Sequence, residues 1–474
     1  MDTSNLSAIE LASAIRSRTI SAREVTLDAV QRAERISPLV GAFTYIAADQ
    51  ALAQAEAIDQ AVANGTAPSQ QQAPLLGVPC PIKDLEPVAG VPFEEGSAAR
   101  KGTVADQDAD IVKWLRQAGT VMLGKTNTPE FGLPCYTEPD VAPPARTPWD
   151  LSRSAGGSSG GAAAAVASGI VPIAHGSDGG GSIRIPAAVC GLVGLKASRG
   201  RISPSDAMPG PGLLTDGVLT RTVRDTALAL DILGKPRVGS IYHVPQPQTS
   251  FLASCDQQPS ELRVGVLTAS VITDANVHPE ALAAVEKTVS LLQALGHHVE
   301  QAPTPFAKER WGAFGAIWAV GALGIDLTPE QELQIRPLTR WLREQGKGIS
   351  GLEFSHALAA AQSIARDTQV AWADYDIILT PTLAQPPAKI GALRNDADPA
   401  ADFQAQTEFT PWGSIYNVSG LPAISLPLHT AEVDGVTLPF GVMLGARFGC
   451  EDVLLAVSAQ LEAAAPWQRT VAIN

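Results

Sequence analysis

The sequence predicts an α/β protein: a central sheet flanked by helices, with a helical cap insertion. Three observations point there. Short, nearly pure apolar runs, Leu75 to Ile82, Thr120 to Leu123 and Ile170 to Ala174, alternate with helical stretches such as 106–118, the pattern of a buried sheet between helices. Strand character returns late in the chain, at 262–268 (LRVGVLT), Tyr375 to Thr380 and Leu421 to Pro427. Between these, 305–372 is helical, with Trp311, Phe314 and Trp318 at helical spacing, and reads as a cap or lid over the α/β body.

The remaining elements follow in order. Residues 6–65 read as helices, because Ser7 with Glu10 and Ser21 with Glu24 have capping-box spacing ahead of apolar periodicity. The spans 133–150 and 204–217 are rich in proline, glycine and polar residues and read as long loops, of the kind that often carry function. Residues 279–296 read as an amphipathic helix. A length of 474 residues suggests two or three domains as a prior, with one large α/β unit as the alternative. No internal repeat, low-complexity tail or shift of composition marks a boundary. The expected organisation is therefore one unit over 1–474 containing the 305–372 insertion.

Composition excludes several classes. Apolar residues make up 45% and charged residues 17%, enough for a sizeable core. With 34 basic and 48 acidic side chains the net charge is −14, which argues against a nucleic-acid partner. There is no Lys/Arg-rich block for an anionic membrane. The N-terminal MDTSNLSAIELASAI lacks the pattern of a secretory signal, and the longest nearly apolar run, Gly161 to Ala174, is too short to span a bilayer. The cysteines at 80, 135, 190, 255 and 450 are scattered, without CxxC or Cys/His ligand spacing, so neither a disulfide framework nor a metal site is expected. A cytoplasmic setting is the default expectation.

Two turns carry the chemistry. GGSSGG spans 156–161 and GSDGGGSIR spans 176–184, each presenting serine among glycines that let a substrate approach the main chain. The apolar segment 162–174 joins them, so both turns are expected to build one site. A serine hydroxyl needs a base. The seven histidines (175, 243, 278, 297, 298, 356 and 429) form no recognisable pattern, and no GxSxG elbow occurs. His175 ends an apolar run and reads as a core or supporting histidine rather than a base. Lys83, after the run LLGVPCPI, is the other candidate, since a desolvated lysine loses its proton more readily. The bland alternative for Lys83 is a lysine that snorkels to the surface.

Together, GVPCPIKD (77–84), GGSSGG (156–161) and GSDGGGSIRIPAAVCGLVGLK (176–196) resemble the amidase signature family. LGKTNTPEFG (123–132), SRGRISP (198–204), YDIILTPT (375–382) and NVSGLPAISLP (417–427) extend the resemblance over nearly the whole chain. The resemblance implies the amidase-signature fold, a central mixed, twisted sheet flanked by helices. It implies a Ser–Ser–Lys triad with Ser182 as nucleophile, Ser158 as bridging serine after a cis peptide, and Lys83 as base. Backbone N–H groups of Gly179, Gly180, Gly181 and Ser182 would form the oxyanion hole. Asp178, Arg184 and Ser159 match residues that support the turns. No cofactor is implied. Two departures stand out: Gly179 replaces the bulkier residue, often threonine, that follows the aspartate, and Ala197 stands where proline is usual.

Within the family, 137–161 and 204–217 look most like bacterial hydrolases of nylon-type amides and urethanes. The expected reaction is hydrolysis of small-molecule amides or carbamates of the aryl acylamide or urethane type, with esterase side activity open. Cys135, Tyr136 and Thr137 are the candidate substrate-binding residues. Trp311, Phe314 and Trp318 read first as helix packing; facing the nucleophile, they would favour an aromatic leaving group. The alternative reading is the A-type glutaminase subunit of a glutamine-dependent tRNA amidotransferase. Ile185 after the signature arginine and GVLTRTVRD at 217–225 disfavour it. Monomer and homodimer both stay open.

Overall fold

The computed structural model describes residues 3–202 and 212–473; residues 204–211 of the loop read at 204–217 lie outside them. Local chemistry sets the first helices. Ser7 and Ser21 accept the N–H of Glu10 and Glu24, and each glutamate side chain takes the N–H of its serine, which caps Ala8–Arg16 and Ala22–Val40. Leu11, Ile15, Val25 and Ala29 on their inner faces are buried.

The strands fall into two sheets. In chain order they are β1 (Phe43–Ile46), β2 (Ile82–Lys83), β3 (Gly124–Thr126), β4 (Ile173–Asp178), β5 (Val193–Lys196) and β6 (Thr215–Thr220). They continue as β7 (Arg263–Val266), β8 (His298–Gln301), β9 (Ile377–Pro381), β10 (Ala423–Val433) and β11 (Val436–Ala446). A three-stranded sheet has the order β1-β3-β2, and an eight-stranded sheet the order β4-β6-β5-β10-β11-β9-β7-β8. The large sheet is mixed: β9, β7 and β8 run parallel, and the pairs from β4 to β9 are antiparallel. Every residue of β4, β5, β6 and β9 is buried. Helices Arg184–Cys190, Val223–Leu233, Pro279–Ala294 and Glu451–Ala464 pack against this sheet.

Some apolar runs yield less strand than their composition suggests. Leu75 to Ile82 contributes only β2 and one isolated bridge, Pro79 to Val121. Pro79 and Pro81 lack the N–H that a continuous ladder needs. The segment between the two turns divides: Gly160–Ala167 is a helix whose every residue is buried, and β4 starts after a turn.

Residues 308–371 hold a 3-10 turn, Lys308–Trp311, and helices Gly312–Leu323, Pro329–Glu332, Pro337–Lys347 and Gly351–Ala371. The first long helix packs on both Pro337–Lys347 and Gly351–Ala371. Among the described residues, no helix is long and apolar enough to cross a membrane.

Candidate active site

β2 and β4 bring Lys83 to the serine turns. His175 on β4 donates its N–H to Pro81 O (3.0 Å). Its Nδ1 accepts the N–H of Lys83 (3.3 Å), which leaves the ring proton on Nε2, facing Asp216 Oδ1 at 3.2 Å. His175 therefore braces the backbone of Lys83. Lys83 Nζ lies 2.8 Å from Ser158 Oγ, 3.1 Å from Ser177 Oγ and 3.4 Å from Ser177 O. The peptide between Gly157 and Ser158 is cis. Lys83 is fully buried, and burial pushes its ammonium down to about 7, against the pull of Asp178, Asp216 and Glu86. A snorkelling lysine would keep its usual value; burial makes this one easier to deprotonate.

The first turn is held on two sides. A Cβ at Gly157 would come within 2.7 Å of Tyr136 N, so the turn and the 135–136 backbone meet closely enough to demand glycine. Ser159 ties it to the second turn. Its N–H donates to Ser182 O (3.3 Å), its hydroxyl donates to Ser177 O (3.2 Å), and it accepts the N–H of Ser177 (3.3 Å).

The second turn is organised by Asp178 at the end of β4. Its carboxylate accepts the N–H groups of Gly181 (2.8 Å) and Ile183 (3.2 Å), Arg184 Nε and Nη2 (both 2.9 Å) and Asn417 Nδ2 (2.9 Å). Burial alone would raise the Asp178 pKa, but the Arg184 guanidinium and the Asn417 amide outweigh it and hold the group well below the usual carboxylate range. Arg184 also donates to Gly413 O and Asn417 Oδ1, both at 2.7 Å. The N–H of Gly181 is thus committed to Asp178. Those of Gly179, Gly180 and Ser182 have no hydrogen-bond partner among the described residues.

Ser182 opens onto a cleft. Gly180, Ile185 and Ser182 form one side. Leu133, Pro134 and Cys135 form another, Gln406, Thr410 and Ser414 supply polar groups, and Trp311, Phe314 and Trp318 complete the wall. The three aromatic rings stack on one another, with centroids 5.0 Å apart for Trp311 and Phe314 and 5.3 Å for Phe314 and Trp318. They pack as helix residues and also face the cleft of Ser182, so the two readings offered by the sequence are not exclusive.

Of the three loop residues at 135–137, only Cys135 lines the cleft. The Tyr136 hydroxyl donates to Asp402 Oδ2 (2.6 Å), and Thr137 Oγ1 accepts the N–H of Gly160 (3.2 Å). Asp402 also accepts from Gln406 Nε2 (2.6 Å), and Gln406 Oε1 accepts the N–H of Cys135 (2.8 Å). A buried chain of hydrogen bonds thereby fixes the loop beside Ser182.

Sequence reasoning passed over Ser177, Asn417, Asp402 and Gln406. Ser177 carried a usable signal: it lies two residues after His175 on one strand, so both face Lys83. Asn417 sits in the quoted NVSGLP segment, but nothing local ties it to Asp178. Among the described residues, no group of three or more His, Cys, Asp or Glu is arranged to hold a metal.

The fold and sequence are similar to those of known amidases. The family model Amidase matches residues 24–455. The 6-aminohexanoate-cyclic-dimer hydrolase of Paenarthrobacter ureafaciens is 35% identical over 479 residues, covering 96% of this chain and 93% of that protein. A solved 6-aminohexanoate cyclic dimer hydrolase in complex with substrate is similar with a TM-score of 0.89 at 32% identity, covering 98% of both chains. A bacterial aryl acylamidase structure has a TM-score of 0.85 at 29% identity, covering 98% of this chain and 96% of that one. The chain belongs to the amidase signature family, hydrolases of carbon–nitrogen bonds other than peptide bonds.

Proposed function

We propose that the protein hydrolyses small aryl amides or carbamates, with Ser182 as nucleophile, Ser158 as relay and Lys83 as base. The observation that carries this reading is the 2.8 Å contact of a fully buried Lys83 Nζ with Ser158 Oγ, beside the cleft that Ser182 lines. Neutral Lys83 accepts the proton of Ser158, and Ser158 accepts that of Ser182 as its oxygen attacks the carbonyl carbon. No hydrogen bond joins Ser158 and Ser182 among the described residues, so this link closes when substrate is seated, as catalytic hydrogen bonds commonly do. The N–H groups of Gly179, Gly180 and Ser182 receive the oxyanion. The proton then returns along the same path to the leaving nitrogen, the C–N bond breaks, and water hydrolyses the acyl-enzyme.

The cleft supports the substrate class. Its described lining residues are uncharged and largely apolar or aromatic. A free glutamine, with its ammonium and carboxylate, finds no counter-ion among them, which speaks against the amidotransferase-subunit reading. The relatives' activities on a cyclic amide and on aryl acylamides point the same way.

A matched set tests this: a 4-nitroanilide, an N-aryl carbamate and free glutamine, with a fluorophosphonate probe to mark the nucleophile. Expected are turnover of the anilide or carbamate and labelling of Ser182. Turnover of glutamine alone would move the assignment to the amidotransferase subunit. The pH profile is a second check. Since Lys83 must be unprotonated, kcat/KM should fall about tenfold per unit below about pH 7 and level off above it. A flat profile through this range would remove Lys83 as the base.

A further inference from the structure

Gly179 has no side chain, and the space beside it is only one carbon deep. A Cβ built there would come 3.4 Å from Leu214 Cδ1, 3.5 Å from Trp318 Cη2 and 3.6 Å from Trp318 Cζ3. At Gly180 a Cβ would lie 3.7 Å from Phe314 Cζ and 3.9 Å from Trp318 Cη2. These are ordinary van der Waals separations, so a methyl group at either position would just fill the gap to two rings of one helix, Gly312–Leu323, and anything larger would meet them. Phe314 and Trp318 are one helical turn apart, and their rings are nearly parallel, 19° between planes. Trp318 is backed by the buried Ala322, Leu338 and Leu342, which limits its freedom to swing away.

We propose that Trp318 is a specificity-determining residue. Its indole bounds the space beyond the first carbon of a side chain at 179 and presents a flat wall beside the N–H donors of the turn. Planar groups next to the scissile carbonyl stack on that wall; puckered or branched groups of equal carbon count are thicker and collide with it. Gly179 is the other half of the arrangement, since the branches of a larger side chain there would enter the ring. The inference rests on the reading of Ser182 as the nucleophile of this cleft.

The test compares ethyl N-phenylcarbamate with ethyl N-cyclohexylcarbamate, so that each variant is read as a ratio and the intrinsic chemistry of the two substrates cancels. Trp318→Ala should reduce the phenyl-over-cyclohexyl preference in kcat/KM about tenfold, chiefly through KM, and Trp318→Phe should retain most of it. Gly179→Val should lower kcat/KM on both carbamates about tenfold or more beside Trp318, and markedly less beside Trp318→Ala, a non-additivity that marks direct contact. Equal losses on the two carbamates, or additive effects of the two substitutions, would overturn the proposal. Fluorophosphonate labelling separates the levels. A labelled wild type with additive variants sinks only the role of Trp318, whereas an unlabelled Ser182 sinks the reading beneath it. Loss of labelling and of a cooperative melt in Trp318→Ala would mark misfolding, and Trp318→Phe with Gly179→Val then supplies the decisive comparison.

Discussion

Lys83→Met is expected to lower kcat for amide hydrolysis by about four orders of magnitude, a loss comparable to that of Ser182→Ala. The size follows from the geometry. Lys83 Nζ is in contact with Ser158 Oγ, and the remaining contacts of the amine, to Ser177, supply no alternative base. His175, the nearest imidazole to Lys83 in the hydrogen-bond network, has Nδ1 occupied by the Lys83 N–H and Nε2 facing Asp216. Methionine keeps most of the volume of the lysine stem, so the fully buried position stays filled and lost activity is not lost folding. Because the three groups act as a relay, the double variant Lys83→Met with Ser182→Ala should be scarcely worse than either single one. Steady-state kinetics alongside thermal melts check this. Turnover near the wild-type rate in Lys83→Met would remove the lysine from the mechanism.

The residues of the proposed relay were legible in the sequence because they lie in local motifs. Each turn announces itself by glycines around serine, and the resemblance supplied their pairing with Lys83. What the motifs do not encode is how the parts are held. Asp402 and Tyr136 are 266 residues apart, and Asn417 and Asp178 239, so their hydrogen bonds depend on the closed fold and on no spacing that can be read along the chain. The oxyanion turn shows the same limit. Four N–H groups look equivalent in GGGS, but Asp178 curls back to take that of Gly181, and only the folded turn shows which three are left. The replacement of a bulkier residue by Gly179 is visible in the sequence, but not that Trp318, more than a hundred residues downstream, bounds the space beside it.

The fold was legible to a similar degree. The capping serines at 7 and 21 and the amphipathic helix read at 279–296 hold, since cap and periodicity are short-range signals, but the span 6–65, read as helices throughout, is interrupted by β1 (Phe43–Ile46). Strands were harder. The small β2 follows a run in which two prolines interrupt the ladder, and the all-buried helix Gly160–Ala167 is apolar all round, so it has no periodicity to distinguish it from the strand that follows. The mixed pairing of the eight-stranded sheet came from the resemblance; residue patterning alone gave only a buried sheet.

Arg184→Met should destabilise the protein by about 3–5 kcal/mol, the usual effect of removing one partner of a buried ion pair. Both side chains are fully buried, and Arg184 alone contributes two of the bonds to the Asp178 carboxylate. Without it, Asp178 keeps the Gly181 and Ile183 N–H groups and the Asn417 amide but loses its paired cation, so its buried charge is left with only the weaker pull of Lys196 and Lys83. The sign of the pH dependence separates this from a simple packing defect. In the wild type the Asp178 pKa is lowered on folding, so its contribution to stability is present above the ordinary carboxylate range and is lost as pH falls. In the variant, burial without the guanidinium raises that pKa, so stability is lost as pH rises instead. The gap between wild type and Arg184→Met in urea denaturation should therefore widen from about pH 4 to pH 7. Adding Asp178→Asn to Arg184→Met should narrow the gap at pH 7, since the amide keeps the shape of the carboxylate and carries no charge. A gap independent of pH, or a double variant no more stable than the single one, would show that the pair serves packing alone. Activity should fall in both variants, because the same carboxylate holds Gly181 and Ile183 on either side of Ser182 and so fixes the turn whose N–H groups are proposed to meet the oxyanion.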